Sequence, residues 1–280
     1  MTRRAFATLP ILGIPTAAWA YVVEPGWLEF TEHTCPVPHL ERPVDVLHLS
    51  DLHASHDVPT SLIERAIDMA VEAKPDLICI TGDFVTVATG FDCRWYVSVL
   101  SKLARSRPTY AVLGNHDGGS WSRDGGGFHG TGEVASMVES SGIQVLADRS
   151  VKADARGTPV RLVGANDIWS LRVDAERAFG EVRRDEPVVL LSHNPDSKER
   201  FANKPWHVML SGHTHGGQVV VPLTGASPAP VSDRRYVAGL KPWGERWIHV
   251  SRGVGSIKGV RFNCRPEVTR LRLVPARLGT

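Results

Sequence analysis

Five short clusters collect the side chains that bind divalent metal ions: Asp51-Leu52-His53, Gly82-Asp83, Gly114-Asn115-His116-Asp117, the single His193, and Gly212-His213-Thr214-His215. Between them they offer carboxylate, imidazole and amide donors for two ions. Mixed oxygen and imidazole donors suit Mn2+, Fe2+ or Zn2+ better than Ca2+, which takes oxygen ligands. A pair of such ions a few Å apart meets both needs of phosphate-ester hydrolysis: water made nucleophilic near neutral pH, and charge neutralised on the phosphoryl oxygens. Singly, each cluster has a plainer reading. Asp-x-His after a strand is commonly a turn with a surface histidine, and Gly-Asn-His-Asp is a run of good turn formers. His213 to His215 fits an exposed strand end, and a lone His193 fits a structural role. The order of the clusters, and the apolar run before each, favours the joint reading.

Those apolar runs are the elements that must position the donors. Four clusters follow runs of β-branched and aliphatic residues, from Val44 to Leu49, Leu77 to Ile80, Tyr110 to Leu113 and Val188 to Leu191, and His213 follows the shorter run from Val208 to Leu210. In an α/β sheet such clusters converge on the carboxyl edge. Between the runs, Leu62, Ile63, Ala66, Ile67, Ala70 and Val71 mark a helix stripe that opens with the capping-box spacing Ser61 to Glu64 and stops near Pro75. Further helices are predicted from about Cys93 to Arg105, from Gly132 to Ser140 before Gly142, and from Asp174 to Val182. From Gln218 onward the pattern changes to strands, Val219 to Val221, Arg246 to Val250 and Val268 to Leu273, with no long helix between them. A second sheet packed on the first follows, giving an α/β fold built as a layered β-sandwich flanked by helices. Residues 44–280 read as one domain, preceded by residues 21–43, where Glu24 to His39 forms an edge strand or arm.

Donors and spacing together resemble the calcineurin-like metallophosphoesterase superfamily from about Asp45 to about Leu273. Within it, the chain is similar to the bacterial exported or membrane-associated branch that includes YkuE-like and YaeI-like phosphoesterases. That branch's motifs stand here as Leu49-Ser50-Asp51-Leu52-His53, Leu191-Ser192-His193-Asn194-Pro195-Asp196, Gly212-His213-Thr214-His215-Gly216-Gly217-Gln218, Val250-Ser251-Arg252-Gly253-Val254-Gly255, Arg261-Phe262-Asn263 and Pro266-Glu267. The resemblance implies that Asp51, His53, Asp83 and His215 hold one ion and that Asp83, Asn115, His193 and His213 hold the other, with Asp83 as the bridge and Mn2+ the first choice of metal. His116 is left as the general acid on the leaving oxygen, with Asp117 or another acid as its partner. Thr86 occupies the position where purple acid phosphatases place a tyrosine, and Phe84 to Val87 lacks the Asp-Arg-Gly of protein phosphatases. The implied reaction is hydrolysis of a phosphodiester or pyrophosphate bond on a lipid-linked or cell-envelope substrate. Two alternatives stand beside it: a UDP-2,3-diacylglucosamine pyrophosphohydrolase of lipid A synthesis, and a non-catalytic metal-binding scaffold.

Charge and composition narrow the partners. The 280 residues carry a net charge of +2, which shows no broad basic surface of the kind used for nucleic acid, so neither a nuclease nor a nucleic-acid partner is expected. Thr2-Arg3-Arg4-Ala5-Phe6, the uncharged stretch from Ala5 to Val23 and Ala18-Trp19-Ala20 resemble a twin-arginine export signal over residues 1–20. That predicts the twin-arginine translocase as a partner during export, cleavage before Tyr21, and a periplasmic or cell-envelope location; an uncleaved membrane anchor is the alternative. In an exported chain Cys35 and Cys264 are candidates for a disulfide, while Cys79, inside an apolar run, reads as a small buried hydrophobe. Trp121, His129 and Arg234 are candidate substrate contacts, with Trp169, Trp243, Arg235 and Lys241 in neighbouring rim loops suited to an amphiphilic phosphate at a membrane surface.

Overall fold

Strand runs without polar alternation, such as Leu77–Thr81, need cover on both faces, and the chain supplies it by stacking two sheets between helices. The computed structural model describes residues 16–225 and 227–276. The first sheet contains β1 (Glu29–Val37), β2 (Val44–Leu49), β3 (Leu77–Thr81), β4 (Thr109–Val112), β5 (Gln144–Val145) and β12 (Glu267–Pro275), in the order β1-β12-β2-β3-β4-β5. The second contains β6 (Arg149–Ala155), β7 (Thr158–Gly164), β8 (Val188–Leu191), β9 (Val208–Ser211), β10 (Gly239–Trp243) and β11 (Arg246–Val250), in the order β10-β11-β9-β8-β7-β6. Parallel pairing of β2, β3 and β4, and of β7, β8 and β9, brings their carboxyl ends to one edge of each sheet.

Helices α1 (Thr60–Glu72), α2 (Cys93–Ser106) and α3 (Gly132–Ser140) cover the first sheet. Their apolar faces, including Ile63, Ile67, Leu100, Leu103 and Val138, meet Ile78 and Ile80 in one core. Val46, Cys79, Leu271, Leu162 and Leu210 fill the space between the sheets. Trp206, Phe201, Tyr236 and Ile248 close the far side, where Trp243 stacks on Trp206 at 5.4 Å. The expected capping box at Ser61 does not form. Thr60 opens α1 after Pro59, and Glu64 instead accepts from the Trp95 indole at 2.8 Å. The fourth helix is a short Ala175–Phe179 segment capped by Asp174.

The second sheet is not the late segment folded on itself. β12 returns to the first sheet, antiparallel to β2, and the middle of the chain builds most of the second sheet. Val219 to Val221 is a loop with one bridge to Phe262 rather than a strand. The β6–β7 hairpin, unread in the sequence, turns on Arg156 (φ 49°) and Gly157 (φ 85°), the two left-handed residues that a tight hairpin needs.

The amino-terminal arm is part of the fold, since β1 pairs along all nine residues with β12. That register also rules out the Cys35–Cys264 disulfide. Cys35 lies opposite Leu273, whereas Cys264 precedes the other end of the pair, so at least six residues of strand, roughly 20 Å, separate them. Both thiols are free and buried. The segment before β1 is docked as well: Ala20 is buried and its carbonyl accepts from Arg261 N at 2.9 Å, while the Trp19 indole donates to Glu24. Arg3 and Arg4 lie outside the described residues. No helix among the described residues is long and apolar enough to cross a membrane.

Candidate metal centre

Both sheets deliver their donors to one place. Asp51 and His53 follow β2, Asp83 follows β3 and Asn115 follows β4, while His193 follows β8 and His213 and His215 follow β9. All seven side chains are buried. One ligand atom from each of Asp51, His53, Asp83 and His215 lies within 4.8 Å of the others. Within that group His53 Nε2 is 3.1 Å from His215 Nε2 and 3.5 Å from Asp83 Oδ2, and His215 Nε2 is 3.4 Å from Asp51 Oδ1. Alongside, Asn115 Oδ1 is 3.1 Å from His193 Nε2 and 2.7 Å from His213 Nδ1. Asp83 belongs to both groups, because its Oδ2 is also 3.2 Å from His193 Nε2.

The backbone is bent to make this possible. Asp51, His53, Asp83, His213 and His215 all adopt left-handed φ, between 50° and 70°, a conformation that concentrates at functional sites. Gly212 lets the two sheets touch, since a Cβ there would collide with Ser50 and the Asp51 carboxylate. Asp51 in turn accepts from His213 N at 3.1 Å, and Asp83 Oδ1 from His116 N at 2.9 Å.

Second partners set which imidazole nitrogen faces inward. His193 Nδ1 donates to the Thr81 carbonyl at 2.6 Å, which turns Nε2 toward the centre. His53 Nδ1 meets the Thr86 hydroxyl at 3.0 Å, with the same consequence. Burial holds His53 and His213 down at about 3 and His215 well below the usual imidazole range, so all three stay neutral. Burial pushes Asp51 up to about 7. It would raise Asp83 too, but His193, His116 and His53 more than offset it and hold that carboxyl well below its ordinary value. The acids return the effect, lifting His193 above the usual range despite its burial. Buried carboxylates and imidazole nitrogens turned on one another in one cluster fit divalent cations, which supply the missing charge.

A cavity of about 270 Å3 opens on this centre. His116 stands at its edge, with Nδ1 donating to the Thr86 carbonyl at 3.0 Å and the Trp121 ring 4.3 Å away. Trp169 covers His213 at 4.4 Å, so Trp121 and Trp169 both line the opening. Asp117 is not the partner of His116. Its carboxylate accepts from the backbone of Phe84, Val85 and Gly114 and ties the two loops together. The other rim candidates lie elsewhere: His129 is exposed on its loop, Trp243 belongs to the core beyond the second sheet, and Arg234, Arg235 and Lys241 line a neighbouring hollow. The sequence reading missed Thr86, which serves both His53 and His116, and Asp167, whose carboxylate caps the turn that carries Trp169.

Two stacked sheets with mixed Asp, Asn and His donors at their carboxyl edges fit a metal-dependent hydrolase of phosphate esters. The chain belongs to the calcineurin-like phosphoesterase family, whose model matches residues 44–217. Phosphodiesterase YaeI of Escherichia coli strain K12 is 41% identical over 278 residues, 98% of this chain and 100% of that one. The metallophosphoesterase YkuE of Bacillus subtilis strain 168 is 29% identical, over 90% of this chain and 87% of its own. The UDP-2,3-diacylglucosamine pyrophosphatase LpxG of Chlamydia trachomatis is 26% identical, with 94% of each chain covered.

Proposed function

We propose that the protein hydrolyses a phosphodiester or pyrophosphate bond at a two-metal centre. The observation that carries the reading is Asp83, whose carboxylate faces one donor group through His53 and the other through His193. In this reading Asp51, His53, Asp83 and His215 hold one ion and Asp83, Asn115, His193 and His213 the other, with Mn2+ the first choice and Fe2+ or Zn2+ the alternatives. Bound ions would activate water and neutralise phosphoryl charge. The chain's own residues do the rest. His116, oriented by the Thr86 carbonyl, presents its other nitrogen to the cavity as proton donor to the leaving oxygen. Trp121 and Trp169 wall the opening and exclude water from one side. An intact donor set and a free histidine at the cavity edge argue against a non-catalytic scaffold.

For the substrate, the reading is a lipid-linked or cell-envelope phosphate compound. Tyr21 and Val22 are 60% and 76% exposed, and Leu223 is fully exposed. Their segments flank one loop, through Ala20 to Arg261 and Val220 to Phe262, which suits contact with a membrane surface. Export by the twin-arginine translocase rests on Arg3-Arg4 and Ala18-Trp19-Ala20, with cleavage before Tyr21 and an uncleaved anchor as the alternative. The pyrophosphatase reading draws support from the LpxG relatives. A screen of Mn2+-loaded protein on monoesters, diesters and lipid-linked pyrophosphates separates these. Turnover confined to monoesters would overturn the proposal, and turnover of the nucleotide-linked pyrophosphate alone would select the second reading.

A further inference from the structure

Beside the metal cavity lies a second hollow, of about 590 Å3, for which the reaction as read above has no use. The two share a wall. Gly216 and Ser227 face the hollow while Gly217 and Pro228 face the metal cavity, so one turn and one loop segment divide them. The turn starts at His215, which places the hollow one residue from the donor set. Backbone, not side chain, makes that wall thin. Gly217 sits at φ 82°, and a Cβ there would strike the side chain of Ser227.

Charge in the hollow is positive and partly uncommitted. Arg235 is neutralised by Asp233, through contacts of 2.7 and 3.0 Å. Arg234 has no such partner among the described residues; its Nη1 donates to the Ser227 carbonyl at 2.8 Å, which fixes the guanidinium over the shared wall without cancelling its charge. Lys241 forms no ion pair among the described residues. A pre-oriented fork and a compact ammonium lining one hollow are the two kinds of cation that phosphate oxygens take.

We propose that this hollow is a subsite for a second phosphate group of the substrate, held by Arg234 and Lys241 while the scissile phosphate lies in the metal cavity. The inference rests on the phosphoesterase reading and narrows it to substrates with two phosphate-type anions a short span apart. Calorimetry on the full-length, Mn2+-loaded protein tests it with non-hydrolysable probes: propane, hexane and octane bisphosphonates against the matching monophosphonates. At least one bisphosphonate is expected to bind roughly tenfold more tightly than its monophosphonate, the value of one charge-assisted contact. In Arg234→Ala and in Lys241→Ala that ratio falls toward one. Both side chains are exposed, so neither change threatens the fold, and the ratio is internal to each variant. Equal affinities at every length in the wild type, or an advantage that survives both substitutions, overturns the subsite. Hydrolysis of bis(p-nitrophenyl) phosphate, measured in parallel, reports separately on the phosphoesterase reading.

Discussion

At the residue scale, Asp83 and Thr86 divide the work of the β3 loop. Asp83 offers one oxygen to His116 N and turns the other toward His53 and His193, so Asp83→Asn removes the charge that both donor groups share. Loss of turnover and of bound metal is expected for Asp83→Asn and for His213→Ala; full metal content in both variants would refute the ligand assignment. Thr86 acts one step back. Thr86→Val removes the hydroxyl that orients His53 but keeps the carbonyl that orients His116. Metal affinity should fall about tenfold to a hundredfold, with kcat recovering at high Mn2+. If kcat stays low at saturating metal, the hydroxyl serves the reaction directly. His116→Ala should keep its metals and lose roughly a hundredfold or more on poor leaving groups. Equal losses on good and poor leaving groups would remove the proton-donor role.

At the scale of elements, the loop after β11 braces the metal centre from behind. Arg261 is fully buried and donates to the carbonyls of Cys264, Arg252, Gly253 and Gly255, and the loop thus shaped donates from Val254 to Ser50 and from Gly255 to Asp51. Arg261→Lys keeps the charge and loses the fork, so weaker metal binding with unchanged helix and sheet content is expected; unaltered metal affinity would show the brace to be dispensable. Neither Arg261 nor Asp117 could be read as such in the sequence, because their partners are backbone groups that only the folded loops bring close. The donors were legible for the opposite reason. Most follow a strand such as Leu77–Thr81 that is buried and apolar along its length, and only β2, with Asp45 and His48, breaks that run. β6, with Arg149, Lys152 and Asp154 turned outward, lacks that signature, and the apolar Val219 to Val221 has it without being a strand. Sheet membership of β12 was hidden as well, since its partners lie more than two hundred residues away along the chain.

For the whole molecule, the interface between the sheets carries a pH liability. His48 and His249 face each other across it with their Nδ1 atoms 2.8 Å apart, so one must donate and the other accept. Burial holds His249 down at about 4 and His48 well below the usual range. The unfolded chain therefore takes up protons from about pH 6.5 downward that the folded chain refuses, and stability falls as pH drops through that window. For His249 alone the cost approaches roughly 3 kcal/mol near pH 4. His249→Asn should flatten this fall in a pH series of thermal melts, and an unchanged slope would reject the assignment. The amino-terminal segment makes a second prediction at this scale. Export by the twin-arginine route would yield a mature chain starting near Tyr21, and Arg3→Lys with Arg4→Lys should then hold the full-length protein in the cytoplasm. A product that still begins at the original terminus would favour an anchor, and unaltered distribution of the double variant would reject the twin-arginine route.

The most direct test of the central claim is metal stoichiometry after Mn2+ reconstitution, measured on the wild type and on Asp83→Asn. Because both donor groups include the Asp83 carboxylate, the account predicts two ions per chain for the wild type and fewer than two for the variant. A single ion in the wild type, or two retained in Asp83→Asn, would contradict it.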